Sequence, residues 1–200
     1  MIDRSDLETD LDEYGRVGYG RLARYSPIVL VVIMVAAIAF IALNQRDKQT
    51  TTREIIGKPA PNLTFTSFDG STTTELASMR GSVVVLNFWA SWCEPCRTEM
   101  PAFEAVHQSA GSDIRIIGVN IKNDRVENAT QLLAETGVTY QIARDDGGAN
   151  PVYGPIETAL GTGGSYPVTV VIRPDGVIDK VTVGPMSEDQ IRDAVEKARS

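Results

Sequence analysis

Val83 to Trp89, VVVLNFW, is a nearly unbroken apolar run, and shortly beyond it stand the chain's only cysteines, in Cys93-Glu94-Pro95-Cys96. An apolar run of this length that leads into a helix candidate is the pattern of a central strand buried on both faces. The placement constrains everything else, because such a strand needs neighbours on both sides and cover above and below. With two cysteines in all, any internal disulfide closes within four residues, and a ring so short adds little stability by the chain-entropy account. Its use is redox exchange. Structural zinc needs four ligands, and with His107 the sole histidine and no second cysteine pair that reading is set aside.

The flanking sequence supplies the neighbours. Asn62–Phe68 and Ser71–Glu75 carry β-formers around Asp69-Gly70 and predict a hairpin. A helix is expected over Glu94 to about Ser109, with Pro95 in its first turn and Pro101 inside it. Ile114–Asn120 is the next strand. Asp124 with Glu127 forms a capping-box pattern before a helix through Thr136, whose apolar face is Val126, Ala129, Leu132 and Leu133. Tyr140–Arg144 is a short strand. Residues 146–165 are rich in Gly and Pro and hold at most a weak helix near Val152–Leu160. Val168–Arg173 and Val177–Val183 flank Pro174-Asp175-Gly176 as a hairpin, and Ser187 to Gln190 caps a last helix carrying Ile191, Ala194, Val195 and Ala198. Strands alternating with helices predict an α/β fold, a central mixed sheet flanked by helices with an N-terminal β-hairpin extension.

Upstream, Ile28 to Leu43 is an apolar run of 16 residues fenced by Arg21 and Arg24 before it and Arg46 and Lys48 after it. It is apolar on every face, so one N-terminal transmembrane helix over 27–44 is expected rather than a buried amphipathic one. A cleaved signal peptide fits less well, because the leader is long and opens with six acids in its first thirteen positions. The expected organisation is an acidic cytoplasmic tail over 1–26, the span over 27–44, a polar Thr-rich linker over 45–56 and one domain over 57–200. The net charge of −7 includes no clustered basic surface, which excludes a nucleic-acid binder.

A strand running into Trp92-Cys93 and then a helix puts Cys93 at the helix N-terminus, where free N–H groups and the macrodipole favour a thiolate. Cys93 is therefore the attacking sulfur, and Cys96, one turn on and deeper, resolves the mixed disulfide. A lone CxxC also fits half a metal site; the strand before it, the interior proline and the helix after it favour exchange.

Phe88-Trp89-Ala90-Ser91-Trp92-Cys93-Glu94-Pro95-Cys96 with Pro101 resembles the active-site strand and helix of the thioredoxin superfamily. Gly57-Lys58-Pro59-Ala60-Pro61, Leu76 to Gly81, Arg97-Thr98-Glu99-Met100-Pro101 and Tyr166-Pro167-Val168-Thr169 resemble its membrane-anchored TlpA/ResA/CcmG-type branch, the cysteine motif being most like the ResA type. The resemblance covers residues 57–200 and is poor over 146–165. It implies a thioredoxin-like fold and a protein thiol-disulfide oxidoreductase facing the extracytoplasmic or periplasmic side of the cell membrane. Its substrates would be disulfide-bearing proteins such as the CxxCH pair of apocytochrome c, its donor a membrane protein of thiol type, and no cofactor beyond the Cys93–Cys96 disulfide is implied.

The resemblance also assigns roles. Pro167 is a cis proline beside Cys93, and Trp92, Glu94, Pro95, Tyr166 and Pro167 position the substrate. Asn87 stands where thioredoxins carry a buried acid and cannot exchange a proton, so Glu99 becomes the catalytic acid near both sulfurs. Glu104 and His107 go to the outer face of the helix. Glu94 beside Cys93 disfavours the thiolate, which argues a reductant. A peroxiredoxin-like peroxidase would share the Pro59-Ala60-Pro61 opening but needs a threonine where Ala90 stands. A copper-carrying thiol protein would use both thiolates and a histidine, but His107 follows on the same helix.

Overall fold

The computed structural model describes residues 29–40 and 54–199. The chain divides into two compact units, Met1–Asp47 and Lys48–Ser200. In the first, residues 29–40 are helical with exposed apolar side chains. Among the described residues no helix is long and apolar enough to cross a membrane. The acidic tail over 1–26, both ends of the expected span and the linker as far as residue 53 lie outside the described residues.

The second unit is built on one seven-stranded sheet of order β2-β1-β5-β4-β3-β6-β7. Its strands are β1 (Thr64–Ser67), β2 (Thr73–Glu75), β3 (Val83–Trp89), β4 (Ile114–Ile121), β5 (Gln141–Asp145), β6 (Val168–Ile172) and β7 (Ile178–Val183). The helices are α1 (Glu94–Ser109), α2 (Val126–Thr136), α3 (Pro155–Leu160) and α4 (Glu188–Arg199), with a 3-10 turn over Leu76–Met79. β3 is central, parallel to β4 from Val83 opposite Ile114 to Trp89 opposite Asn120, and antiparallel to β6 from Val84 opposite Ile172 to Phe88 opposite Val168. Parallel neighbours require crossovers, which α1 and α2 provide, and the tight hairpins at the two edges are antiparallel.

All seven residues of β3 are buried, and the two-residue period of the strand divides them. Val83 and Val85 pack with Phe103 and Val106 of α1 and Ile191, Ala194, Val195 and Ala198 of α4. Val84, Leu86 and Phe88 face the opposite cluster, with Phe65, Leu132, Ile156 and Leu160. Asn87 shares the parity of Val83 and Val85, so the one polar side chain of β3 is delivered to the layer holding α1. The motif that opens the domain is pinned to the last hairpin: Gly57 donates to the Ile178 carbonyl at 2.8 Å and Ala60 to that of Gly176 at 2.9 Å.

The cap of α4 forms as its sequence predicts, Ser187 N–H donating to Gln190 Oε1 at 2.9 Å and Gln190 N–H to Ser187 Oγ at 3.3 Å. The cap predicted for α2 does not. Arg125 is the N-cap residue, without a side-chain bond, and Asp124 turns away to other donors. Consequently Val126 is 45% exposed, while Ala129 and Leu132 are the residues that α2 buries.

Candidate active site

Cys93 is the N-cap of α1 and is disulfide-bonded to Cys96, with Cα atoms 5.2 Å apart. The Cys96 N–H, in the first turn of the helix, donates to the Cys93 carbonyl at 3.0 Å and lies 3.2 Å from Cys93 Sγ. Pro95 lies in the first turn, where a missing N–H costs nothing. Both sulfur-bearing residues are buried in the oxidised form. Cys93 is 5% exposed and Cys96 not at all, so Cys93 alone offers a surface to a partner. Cys93 is thus less open than a bare helix N-terminus suggests, because ring closure draws its sulfur over the first turn. Trp92, 60% exposed, projects instead.

The loop leading to Cys93 is held by a network that sequence patterns do not show. Asp124, buried at the end of β4, accepts from Ser91 N–H at 2.7 Å, Ser91 Oγ–H at 2.6 Å and Asn120 Nδ2 at 2.8 Å. Arg144 of β5 donates to Asn120 Oδ1 and, at 3.0 Å, to the Asp124 carbonyl. The bond spanning 33 positions between Ser91 and Asp124 ties the residue two before Cys93 to the turn that follows β4.

Glu99 lies one helical turn after Cys96 and is 3% exposed. Its Oε1 accepts from Asn87 Nδ2 at 2.7 Å, and its Oε2 from Met186 N–H at 2.9 Å. Burial raises its pKa to about 7 from an ordinary 4.5, against the smaller lowering by these two donors. Asn87 Oδ1 is buried without a partner, and Thr169 Oγ1 lies 3.4 Å from its amide nitrogen. Met186 N–H and, to a smaller degree, Asn87 are therefore the donors that favour the ionised form of Glu99.

The opposite side of the site comes from the segment after β5. The Tyr166–Pro167 bond is cis, as the resemblance implies. Tyr166 meets Trp92 edge-on, with ring centroids 5.9 Å apart at 76°, and its hydroxyl donates to the buried Glu157 carboxylate. Burial raises the pKa of Glu157 and of Asp145, while their hydrogen bonds oppose that rise. Neither acid was expected at the site from the sequence, since each is bonded to groups that become neighbours only when the segment folds.

Glu104 and His107 are not on a free outer face. Glu104 accepts from Thr139 N–H at 2.7 Å and Thr139 Oγ–H at 2.6 Å, and His107 lies edge-on against Tyr140 at 6.2 Å. His107 is eleven residues past Cys96, about 16 Å along a helix. Among the described residues no group of three or more His, Cys, Asp and Glu side chains is placed to hold a metal. Ala90, three residues before Cys93, is fully buried and carries no hydroxyl for a peroxide.

Residues 56–181 match the AhpC/TSA family. The chain is 31% identical over 180 residues to the thiol:disulfide interchange protein DsbE of Escherichia coli K12, covering 86% of this chain and 92% of that protein. It is 27% identical over 167 residues to the thiol-disulfide oxidoreductase ResA of Oceanobacillus iheyensis, covering 81% of this chain and 82% of that one. The crystal structure of a thioredoxin-family thiol:disulfide interchange protein from Chlorobium tepidum superposes with a TM-score of 0.60 at 27% identity, covering 70% of this chain and 94% of that chain.

Proposed function

The chain belongs to the AhpC/TSA family, as a thiol-disulfide oxidoreductase of thioredoxin-like fold, and we propose that it works as a membrane-anchored extracytoplasmic reductant of partner-protein disulfides. The partners meant are disulfides of the apocytochrome c CxxCH kind. One observation carries the exchange mechanism: Cys96 has no exposed surface, and Glu99, a carboxylate whose pKa burial raises to about 7, is buried one turn beyond it.

In the proposed cycle the Cys93 thiolate attacks a partner disulfide, forming a mixed disulfide and releasing one partner thiolate, which takes a proton from solvent. Cys96 must then ionise inside the protein, and a buried thiol resists ionisation. Glu99, as carboxylate, accepts that proton. Cys96 attacks Cys93 Sγ, the second partner thiolate leaves and is protonated by Glu99, and the chain is left as the Cys93–Cys96 disulfide. Two electrons pass to the partner, and a membrane thiol donor restores the dithiol. Glu94 at the start of α1 opposes the thiolate of Cys93, which favours a reductant over an oxidant.

The anchor rests on the apolar run over 28–43, and the extracytoplasmic side on the family resemblance. Trp92, Tyr166 and Pro167 form the surface along which the partner's chain lies, with Glu94 and Pro95 at its rim. Cys96→Ala should strand the mixed disulfide on Cys93, and mass spectrometry of the captured proteins should find apocytochromes c. A reporter active only outside the cytoplasm, fused after Ser200, should give signal. Capture of unrelated proteins would discard the cytochrome substrate, and a silent reporter with intact protein would discard the location.

A further inference from the structure

Residues 146–165, rich in Gly and Pro, lead directly into Tyr166. One buried carboxylate of this stretch is bonded to that residue. Glu157, on α3, is 1% exposed and accepts the Tyr166 hydroxyl on one carboxylate oxygen and Gly154 N–H at 3.3 Å on the other. α3 is itself fixed to the sheet. Asp145, the last residue of β5 and 1% exposed, accepts from Ile156 N–H at 2.9 Å and Glu157 N–H at 2.8 Å.

The glycines of the stretch are required by close approach. A Cβ on Gly154 would lie 2.1 Å from the Asp145 carbonyl oxygen, and one on Gly163 would lie 2.5 Å from the Tyr153 ring. Two carboxylates buried this deeply are expensive, and an apolar pair of similar volume commonly serves stability as well or better. What an apolar pair cannot do is fix the rotation of a phenol. Tyr166 meets exposed Trp92, the residue before Cys93, edge-on.

We propose that Glu157 is a specificity-determining positioning residue. Its carboxylate locks Tyr166 so that Trp92 and Tyr166 form a preset aromatic corner beside Cys93, which receives the residues flanking a disulfide in a polypeptide substrate. The inference rests on the reading that this pair touches the substrate. A preset corner reduces the ordering cost of binding a chain, and so acts on polypeptide disulfides. A small disulfide has no flanking residues and gains nothing from it.

The test is steady-state reduction by the full chain, recycled to the dithiol by excess dithiothreitol whose uncatalysed rate is subtracted, of two substrates, an oxidised CxxCH peptide and hydroxyethyl disulfide. Glu157→Leu should raise KM for the peptide about tenfold with kcat unchanged and leave hydroxyethyl disulfide kinetics within about twofold, and Tyr166→Phe should raise the peptide KM by a similar factor. The double variant should be no worse than either single one, as for two groups acting through one bond. Glu157→Gln, whose side-chain carbonyl still accepts the phenol, should restore the peptide KM. An equal loss on both substrates, or wild-type peptide kinetics in Glu157→Leu, would overturn the proposal. Trp92→Ala separates the underlying reading: if it leaves the peptide KM unchanged, the aromatic docking surface is wrong. If it raises KM while Glu157→Leu and Tyr166→Phe do not, docking stands and the positioning role of Glu157 fails alone.

Discussion

Cys93 and Cys96 join an apolar cluster against which Tyr166 packs, and the polar groups on the two sides of that cluster are handled differently. On the side of β3 and α1 a single carboxylate, Glu99, is buried beside one amide side chain and one backbone N–H. On the side of residues 145–167 two carboxylates are buried, and each is bonded to groups that a folded segment holds still. Burial raises the pKa of all three acids. Only Glu99 stands one helical turn from a sulfur. Burial by itself therefore does not make a proton carrier: on the proposed reading, the same desolvation serves proton transfer at Glu99 and geometry at the other two.

The sharpest way to break this division is to remove the sulfurs one at a time. Cys93→Ala should abolish disulfide reduction, whereas Cys96→Ala should retain a single attack that ends in a mixed disulfide visible by mass. In the reduced protein Cys93 should alkylate faster than Cys96, because it alone has exposed surface. Equal rates would dissolve the distinction between attacking and resolving thiols.

Glu99→Gln is next in size. Stopped-flow reduction of a model disulfide should show the resolving step slowed about a hundredfold near neutral pH, and its pH dependence near 7 lost. The same substitution should stabilise the oxidised protein in alkali. The folded pKa of about 7 lies above the ordinary 4.5, so between these values the native state holds a proton that the unfolded chain has lost. Stability then falls as pH rises through that window, by on the order of 3 kcal/mol once it is passed. Glutamine removes the penalty, and its amide can donate to Asn87 Oδ1, which has no partner in the wild type. Urea melts should show the variant more stable at about pH 8 and equal to wild type at about pH 4. Superimposable kinetics would leave the proton to solvent.

Asp124→Ala should cost about 2 kcal/mol, since it leaves the half-buried Ser91 donors and the buried Asn120 donor unpaired. Thermal melts check the magnitude. Because Asp124 grips the loop before Cys93 and touches neither wall's carboxylates, the variant should lower activity without moving the pH profile. A displaced profile would mean the loop clamp and the proton carrier are one unit.

Asp124 also shows where sequence reading stops. Its local pattern with Glu127 is a capping box, but the donors that claim it come from a loop 33 positions earlier and from β4. The apolar strand β3, the span of α1, both hairpins and the cap of α4 were legible, because each is specified by residues within one or two turns of one another. The CxxC chemistry was legible for the same reason. Glu99 was reached through family resemblance, since a carboxylate three places after a cysteine reads equally as an exposed helical residue. Glu157, Asp145 and the Glu104–Thr139 contact were not legible. Each pairs an acid with a donor that only the folded chain brings close, and a buried acid looks in sequence like any other.

The smallest expected effect belongs to Glu94, the charged residue nearest Cys93 in sequence. Its side chain is 80% exposed and lies 3.7 Å from Arg97, which also pairs with Glu135. Glu94→Gln removes a negative charge from the helix N-terminus and should favour the Cys93 thiolate. Water and the Arg97 guanidinium screen that charge, so the thiol titration should fall by only a few tenths of a unit, and by less in high salt. The pH dependence of alkylation measures it. A stabilised thiolate stabilises the reduced form, so the potential should move slightly towards the oxidising side in equilibrium with glutathione. A shift of a full unit or more would place control of the redox poise at the exposed rim of α1. A shift within a few tenths leaves that control with the buried side of the same helix, where Cys96 and Glu99 lie out of reach of solvent.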